Sequence, residues 1–174
     1  GTGDLALELQ RSCPDAEVTG ADFCEEMLEL ARDRGLKKSL VADGLELPFA
    51  DNSFDAVTVA FGLRNMSDWK KGLQEMSRVV RPSGLVLVLD FSLPEGPLRR
   101  PYAFYLNRIL PRVAGLLTGQ RDAYDYLAGS VERFPSGGEM LDLLGEAGLH
   151  EQAWKPLTQG IASIYTGKGP EGQS

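Results

Sequence analysis

The sequence predicts a doubly wound α/β domain whose mostly parallel sheet closes with an antiparallel hairpin. Three observations carry that expectation. Strand-like and helix-like periodicities alternate from residue 18 to residue 91. The run 54–61 is apolar on both faces, as a strand covered on two sides must be. Two short strand patterns, 151–157 and 161–166, are separated only by Thr158-Gln159-Gly160, too little chain for a crossover helix, so they pair antiparallel.

Taken in order, Gly1-Thr2-Gly3-Asp4 leads into a helix over 5–12, with its apolar face at Leu5 and Leu9 and its end set by Pro14. A strand follows at 18–22. The helix 25–34 turns Met27, Leu28 and Ala31 inward and stops at Gly35. The strand 38–42 ends at Asp43-Gly44. Leu47-Pro48-Phe49 and the turn Asp51-Asn52-Ser53 then precede the strand 54–61, expected at the centre of the sheet. Gly62-Leu63-Arg64-Asn65 leaves its C-terminal end, and the helix 68–80 carries Trp69, Leu73, Met76 and Val80 on one side. Arg81-Pro82-Ser83-Gly84 is a turn before the buried strand 85–91. Residues 94–130 break the alternation with prolines, glycines and aromatics, and read as an inserted helical cap over the C-terminal edge of the sheet. Ser136 and Glu139 make a capping box for a helix over 139–147, which Gly148 stops. The hairpin follows, and 167–174 reads as a frayed tail.

At 174 residues, with 43% apolar and 25% charged side chains, the chain suits one domain, 1–174, with an ordinary globular core. No uncharged apolar run of about 18 residues and no basic-then-apolar leader lies within these residues, so neither a spanning helix nor a signal peptide is read. Cys13 and Cys24 are too far apart for a metal knuckle and have no second pair to complete one; no metal site is expected, and reduced thiols point to a cytoplasmic setting. His150, beside Glu151, reads as solvated surface, which argues against histidine-based catalysis. The net charge of −7 argues against nucleic-acid binding, whose affinity comes largely from neutralised phosphates. One stretch runs the other way. Residues 98–121 hold five arginines (Arg99, Arg100, Arg108, Arg112, Arg121) and no acid, leaving the other residues 13 cations against 25 acids.

Chemistry concentrates at the start of the chain. Gly1 and Gly3 let backbone N–H groups approach a ligand closely, and Asp22, about twenty residues on at the end of the next strand, suits a ribose diol. Gly1-Thr2-Gly3-Asp4-Leu5-Ala6 also satisfies the G-x-G-x-x-A pattern of a dinucleotide oxidoreductase. Three features favour S-adenosylmethionine (SAM) instead: Asp43-Gly44 after the third strand, the Pro82-Ser83-Gly84 turn before a strand ending Leu89-Asp90-Phe91, and the closing antiparallel hairpin. Asp22 as a helix cap and Asp43 as a turn former are the alternative readings. The apolar strand that should lead into Gly1 is not in the sequence, so the chain reads as a fragment of a longer protein, expected to unfold readily alone because the neighbours of that strand would keep unpaired backbone groups.

Four segments carry a more specific resemblance: Phe61-Gly62-Leu63-Arg64-Asn65, Arg78-Val79-Val80-Arg81-Pro82-Ser83-Gly84, Tyr126-Leu127-Ala128-Gly129-Ser130-Val131-Glu132-Arg133-Phe134-Pro135, and Leu157-Thr158-Gln159-Gly160-Ile161-Ala162. Together they resemble the ubiquinone/menaquinone-biosynthesis C-methyltransferases over nearly the whole chain. The resemblance implies a Rossmann-like class I methyltransferase fold lacking its first strand, SAM as cofactor, and methylation of a ring carbon in a demethylated prenyl quinol of the menaquinol or ubiquinol pathway. It implies Gly1, Thr2 and Gly3 in the SAM loop, Asp22 at the ribose, Asp43 and Gly44 at the adenine, and Phe23, Ala60 and Phe61 beside the cofactor. Where the family often has a serine this chain has Ala60, which offers no hydroxyl.

Arg64, leaving the C-terminal end of a strand where ligands bind in such sheets, is the expected cationic donor to the ring oxygen, with a loop-anchoring salt bridge as its alternative. Asn65 orients the ring or the loop. Tyr124, Tyr126, Arg133 and Phe134 are the expected substrate contacts. The proton acceptor is an acid, Tyr124, Tyr126 or a water. A nicotinamide-dependent oxidoreductase and a non-catalytic SAM-fold scaffold stay open as other classes. Residues 98–121 read either as a docking face for an anionic membrane, on the cytoplasmic side, or as a structural cap. The oligomeric state, a homodimer included, is open.

Overall fold

The computed structural model describes residues 1–94, 96–112 and 121–170, which fall into two compact units, Gly1–Ala50 and Asp51–Ser174. In the first unit, α1 (Asp4–Ser12) is followed by β1 (Thr19–Asp22), α2 (Glu25–Asp33) and β2 (Lys38–Val41). β1 and β2 pair in parallel, with Asp22 opposite Val41. This places Asp22 and, two residues past β2, Asp43 at the same end of the strand pair.

α2 buries Leu28 and Ala31 and closes where Gly35 takes φ 106°, so that the Leu36 N–H reaches the Ala31 carbonyl at 3.0 Å. Met27, expected inward, is instead 40% exposed. It lies about 100° round the helix from Leu28, and a nine-residue helix packs only a narrow stripe.

The second unit contains β3 (Phe54–Ala60), α3 (Trp69–Val79), β4 (Val80–Phe91), α4 (Arg99–Phe104), α5 (Arg121–Arg133), α6 (Gly138–Glu146), β5 (His150–Leu157) and β6 (Ala162–Lys168). Its sheet has the order β3-β4-β6-β5, with β3 and β4 parallel and the β6 pairings antiparallel. The closing hairpin therefore forms as the short Thr158-Gln159-Gly160 connection requires. β3 is an edge strand of this sheet and not a central one. Apolarity on both faces encodes coverage by layers above and below, and is silent about how many strands lie alongside.

Asp68 caps α3 by accepting from the Lys71 N–H at 2.9 Å, and Leu73, Met76 and Val79 from this helix are buried. The expected turn at 81–84 is an outward bulge inside β4: the register passes from Phe54–Val80 to Ala56–Leu85. A Cβ on Gly84 would lie 2.8 Å from the Asp55 carbonyl oxygen, so the close approach requires glycine.

The predicted capping box at Ser136 and Glu139 does not form. The N-cap of α6 is Gly137, at φ 59°, which leaves Ser136 one position too early for the box spacing. The Gly137 N–H is satisfied by the Tyr165 hydroxyl at 2.9 Å. Gly167 and Lys168, expected to fray, belong to β6, while 171–174 lie outside the described residues.

Leu63, Leu73, Val80, Val88, Met140 and Tyr165 belong to the main core of this unit. In the segment 94–130, a turn at Gly96–Leu98 leads to α4, which runs on into a π-helical turn at Tyr105–Ile109, and α5 extends to Arg133; residues 95 and 113–120 lie outside the described residues. A second apolar cluster of Leu93, Leu106, Ala128 and Val131 ties this helical segment to the chain leaving β4.

Candidate cofactor and substrate site

In the first unit the glycine loop is held from α2. Gly3 takes φ 82° as the N-cap of α1, and a Cβ there would come within 2.9 Å of the Ala31 side chain. Arg34 fastens the same loop. Its Nη1 donates to the Thr2 carbonyl at 2.7 Å and its Nη2 to the Asp4 carboxylate at 2.6 Å, while the Thr2 hydroxyl donates to Asp4 at 2.7 Å. The Arg34 and Thr2 hydrogen bonds hold the Asp4 carboxyl down at about 2.

Asp22 ends β1. One carboxylate oxygen accepts from the Cys24 N–H at 2.8 Å. Phe23 beside it is 78% exposed. Asp43 is exposed and accepts from the Leu45 N–H at 2.9 Å, which places Gly44 inside a tight turn. An exposed aromatic face beside two carboxylates at one end of a parallel strand pair fits the base and diol of a nucleoside.

In the second unit the chain leaves β3 through Ala60 into Phe61, which adopts φ 56°, a left-handed conformation that an aromatic residue holds only when its surroundings enforce it. The enforcement is visible. The Phe61 N–H donates to the Leu89 carbonyl at 2.8 Å, and the Phe61 carbonyl accepts from Arg64 Nη1 at 2.7 Å and from Asn65 Nδ2 at 3.3 Å. The Phe61 ring lies 4.7 Å from that of Phe91, centroid to centroid. Asn65 Oδ1 accepts from the Tyr126 hydroxyl of α5 at 3.2 Å. Phe61, Arg64, Asn65 and Tyr126 are thus brought together.

Arg64 Nη1 also donates to Asp90 Oδ1 at 2.7 Å, and its Cζ lies 5.2 Å from the Phe91 ring centroid. Asp90 is fully buried. Burial pushes its carboxyl above the usual carboxylate range, against the opposing pull of Arg64 and of the Phe91 and Arg64 N–H groups.

The remaining expected residues lie differently. Tyr124 is half-buried on α5. Phe134 is 5% exposed, edge-on to Trp69 at 5.4 Å in the main core, and the exposed Arg133 donates to the Gly129 carbonyl at 3.1 Å. Both line a cleft of about 370 Å³ with Leu93, Arg99, Glu132 and Glu139, which Phe61, Arg64, Asn65 and Tyr126 do not line. Sequence reasoning gave Arg34 no role and used Asp90 only as part of the Leu89-Asp90-Phe91 strand end. Asp90 did carry a signal: an acid inside an apolar strand needs a cation nearby.

A demethylmenaquinone methyltransferase from Thermus thermophilus is 46% identical over 176 residues, covering 98% of this chain and 80% of its own length. A ubiquinone/menaquinone biosynthesis C-methyltransferase UbiE from Bdellovibrio bacteriovorus is 45% identical over 174 residues, covering 96% of this chain and 74% of its own. Among solved structures, a SAM-dependent methyltransferase from Thermotoga maritima superposes with a TM-score of 0.69 at 21% identity, covering 97% of this chain and 77% of its own, which shows the shared class I methyltransferase fold. The sequence model of the ubiE/COQ5 methyltransferase family matches residues 1–169, and with relatives this similar over nearly the whole chain, the protein belongs to that family and is a SAM-dependent methyltransferase.

Proposed function

We propose that the protein methylates a ring carbon of a demethylated prenyl quinol, a reading supported by its likeness to the demethylmenaquinone methyltransferase of Thermus thermophilus and the ubiquinone/menaquinone biosynthesis C-methyltransferase of Bdellovibrio bacteriovorus. The observation that carries this reading is a half-buried guanidinium, Arg64, set at the C-terminal end of β3 beside a strained Phe61 and the Asn65–Tyr126 pair. Gly1, Thr2, Gly3, Asp22, Phe23, Asp43 and Gly44, all of the first unit, would hold the cofactor. SAM supplies an electrophilic methyl on a sulfonium.

The protein's own task is to make the ring carbon nucleophilic. A ring hydroxyl ionises at about 10, by analogy with tyrosine, and a fixed cation beside the oxygen lowers that value and stabilises charge as it develops. Arg64 is that cation; its Nη2 takes part in neither of the bonds that Nη1 makes. Asn65 and Tyr126 orient the ring, Tyr124 adds to the substrate wall, and Arg133 and Phe134 frame the neighbouring cleft. Proximity supplies much of the remaining acceleration.

The prenyl tail calls for a lipid-facing surface. Leu98, Phe104, Tyr105 and Ile109 are 47%, 61%, 42% and 42% exposed, and Arg99, Arg100, Arg108 and Arg112 are exposed among them. No ion pair is seen for these four arginines among the described residues. Among those residues no helix is long and apolar enough to cross a membrane. In this reading the exposed apolar side chains and the four arginines dock the protein peripherally on an anionic leaflet, on the cytoplasmic side.

Transfer of labelled methyl from SAM to demethylmenaquinol, with the demethylated benzoquinol as a second arm and NAD as a competing ligand, tests the reading. Methylated quinol is the expected product. NAD binding without methyl transfer to either quinol would overturn it.

A further inference from the structure

We infer that Asp90 is the positioning residue of the substrate loop: its buried carboxylate fixes the Arg64 guanidinium and, through it, the left-handed Phe61, so that the cation is already aimed before substrate arrives. This inference rests on the role of Arg64 proposed above.

Four observations carry it. Asp90 is fully buried near the end of β4 and accepts from three donors of two residues: Arg64 Nη1 at 2.7 Å, the Arg64 N–H at 3.3 Å and the Phe91 N–H at 2.8 Å. It therefore grips Arg64 by backbone and side chain together. Arg64 Nη1 is shared with the Phe61 carbonyl at 2.7 Å, which links the carboxylate to the one residue of this loop with positive φ. Finally, Arg64 Nε is buried without an acceptor among the described residues. A guanidinium free to choose would not leave a buried donor unmet, so its orientation is imposed by what holds the other end.

Asp90→Asn keeps the shape and one acceptor and removes the charge. Amide hydrogen exchange over 61–65, SAM affinity by calorimetry, and kcat with KM for the quinol are measured on the parent and the variant. The expected result is exchange over 61–65 and kcat each changed by about tenfold or more, with SAM affinity and quinol KM within about twofold, since the lost aim is realised in the transition state. Unchanged exchange, or unchanged kcat, overturns the inference. So does an equal fall in SAM affinity and kcat with a lower melting temperature, which marks a merely structural residue.

Because the lone Asn leaves Arg64 a half-buried, unpaired cation, the neutral pair Asp90→Asn with Arg64→Met is compared with Arg64→Met alone. Equal kcat in the two is expected if Asp90 acts through Arg64, and a further loss in the pair overturns it. Absence of methyl transfer in the parent would sink the proposed function and leave the exchange measurement to decide the inference on its own.

Discussion

Arg34, at the C-terminal end of α2, reaches back 32 residues to the Thr2 carbonyl at 2.7 Å and fastens the glycine loop through its backbone. The same guanidinium holds Asp4 at 2.6 Å, so one side chain sets both the loop and the first turn of α1. Arg34→Met keeps much of the aliphatic stem and removes both bonds. The expected outcome is a SAM dissociation constant raised about three- to tenfold, the weight of one or two partly exposed hydrogen bonds, with kcat at saturating SAM little changed. A large fall in kcat at unchanged SAM affinity would remove Arg34 from the cofactor loop.

Asp4 gives this contact a pH signature. Its carboxyl is held at about 2, first by the Arg34 hydrogen bond and then by the Thr2 hydroxyl, against an ordinary 3.8. A depressed folded-state value means that the contribution is complete above the unfolded value and is lost as pH falls through the folded one. The loop contact should therefore persist at pH 4 and disappear toward pH 2. Carboxyl chemical shifts followed through that range are expected to place the Asp4 midpoint near 2, and in Arg34→Met to return it toward 3.8. A parent midpoint near 3.8 would mean that the pair is absent in solution.

Asp22 has one observed contact and one proposed role, and two substitutions separate them. It accepts from the Cys24 N–H as a turn cap and is proposed to bind the ribose hydroxyls. Asp22→Ala removes both acceptors and should weaken SAM by about 1–3 kcal/mol. Asp22→Asn retains a cap acceptor without the charge. If Asp22→Asn binds SAM as tightly as the parent while Asp22→Ala does not, the residue serves as a cap; comparable losses in both place the carboxylate on the ribose.

Much of this organisation was legible in the sequence because apolar period and turn chemistry report on local conformation. Gly35, Asp68 and the Thr158-Gln159-Gly160 connection each mark an element boundary where the structure has one. The Asn65–Tyr126 contact, spanning 61 residues, joins two motifs that the family resemblance had named separately. What escaped depends on partners distant in the chain. Asp90 announces that it needs a cation, yet nothing in an apolar strand says which of 18 lysines and arginines will serve. Arg34 reads as an ordinary basic residue at a helix end until the start of α1 is placed beside it. The capping box failed at Ser136 because Gly137 took the N-cap in a conformation that only glycine adopts readily, and the edge position of β3 was hidden because a strand's composition records its faces and not its neighbours.

The arginine face of the helical segment offers the last test. α4 and its π-helical continuation sort their side chains: Leu106 is buried with Leu93 and Val131, while Leu98, Phe104, Tyr105 and Ile109 face outward beside Arg99, Arg100, Arg108 and Arg112. The structural-cap reading explains the inward set and leaves the outward one without a role, whereas interfacial docking uses the outward rings and the cations together. Each arginine that reaches an anionic surface contributes about 1 kcal/mol, so the four replaced by glutamine should abolish most sedimentation with phosphatidylserine-containing vesicles. Binding by the parent should also weaken as salt is raised, because the attraction acts across solvent and is screened within a Debye length. SAM affinity is the internal control and should not move. Equal vesicle binding by parent and variant, or binding by neither, would leave the segment as a structural cap, and the prenyl tail would then have to reach Arg64 by a route that does not involve this face.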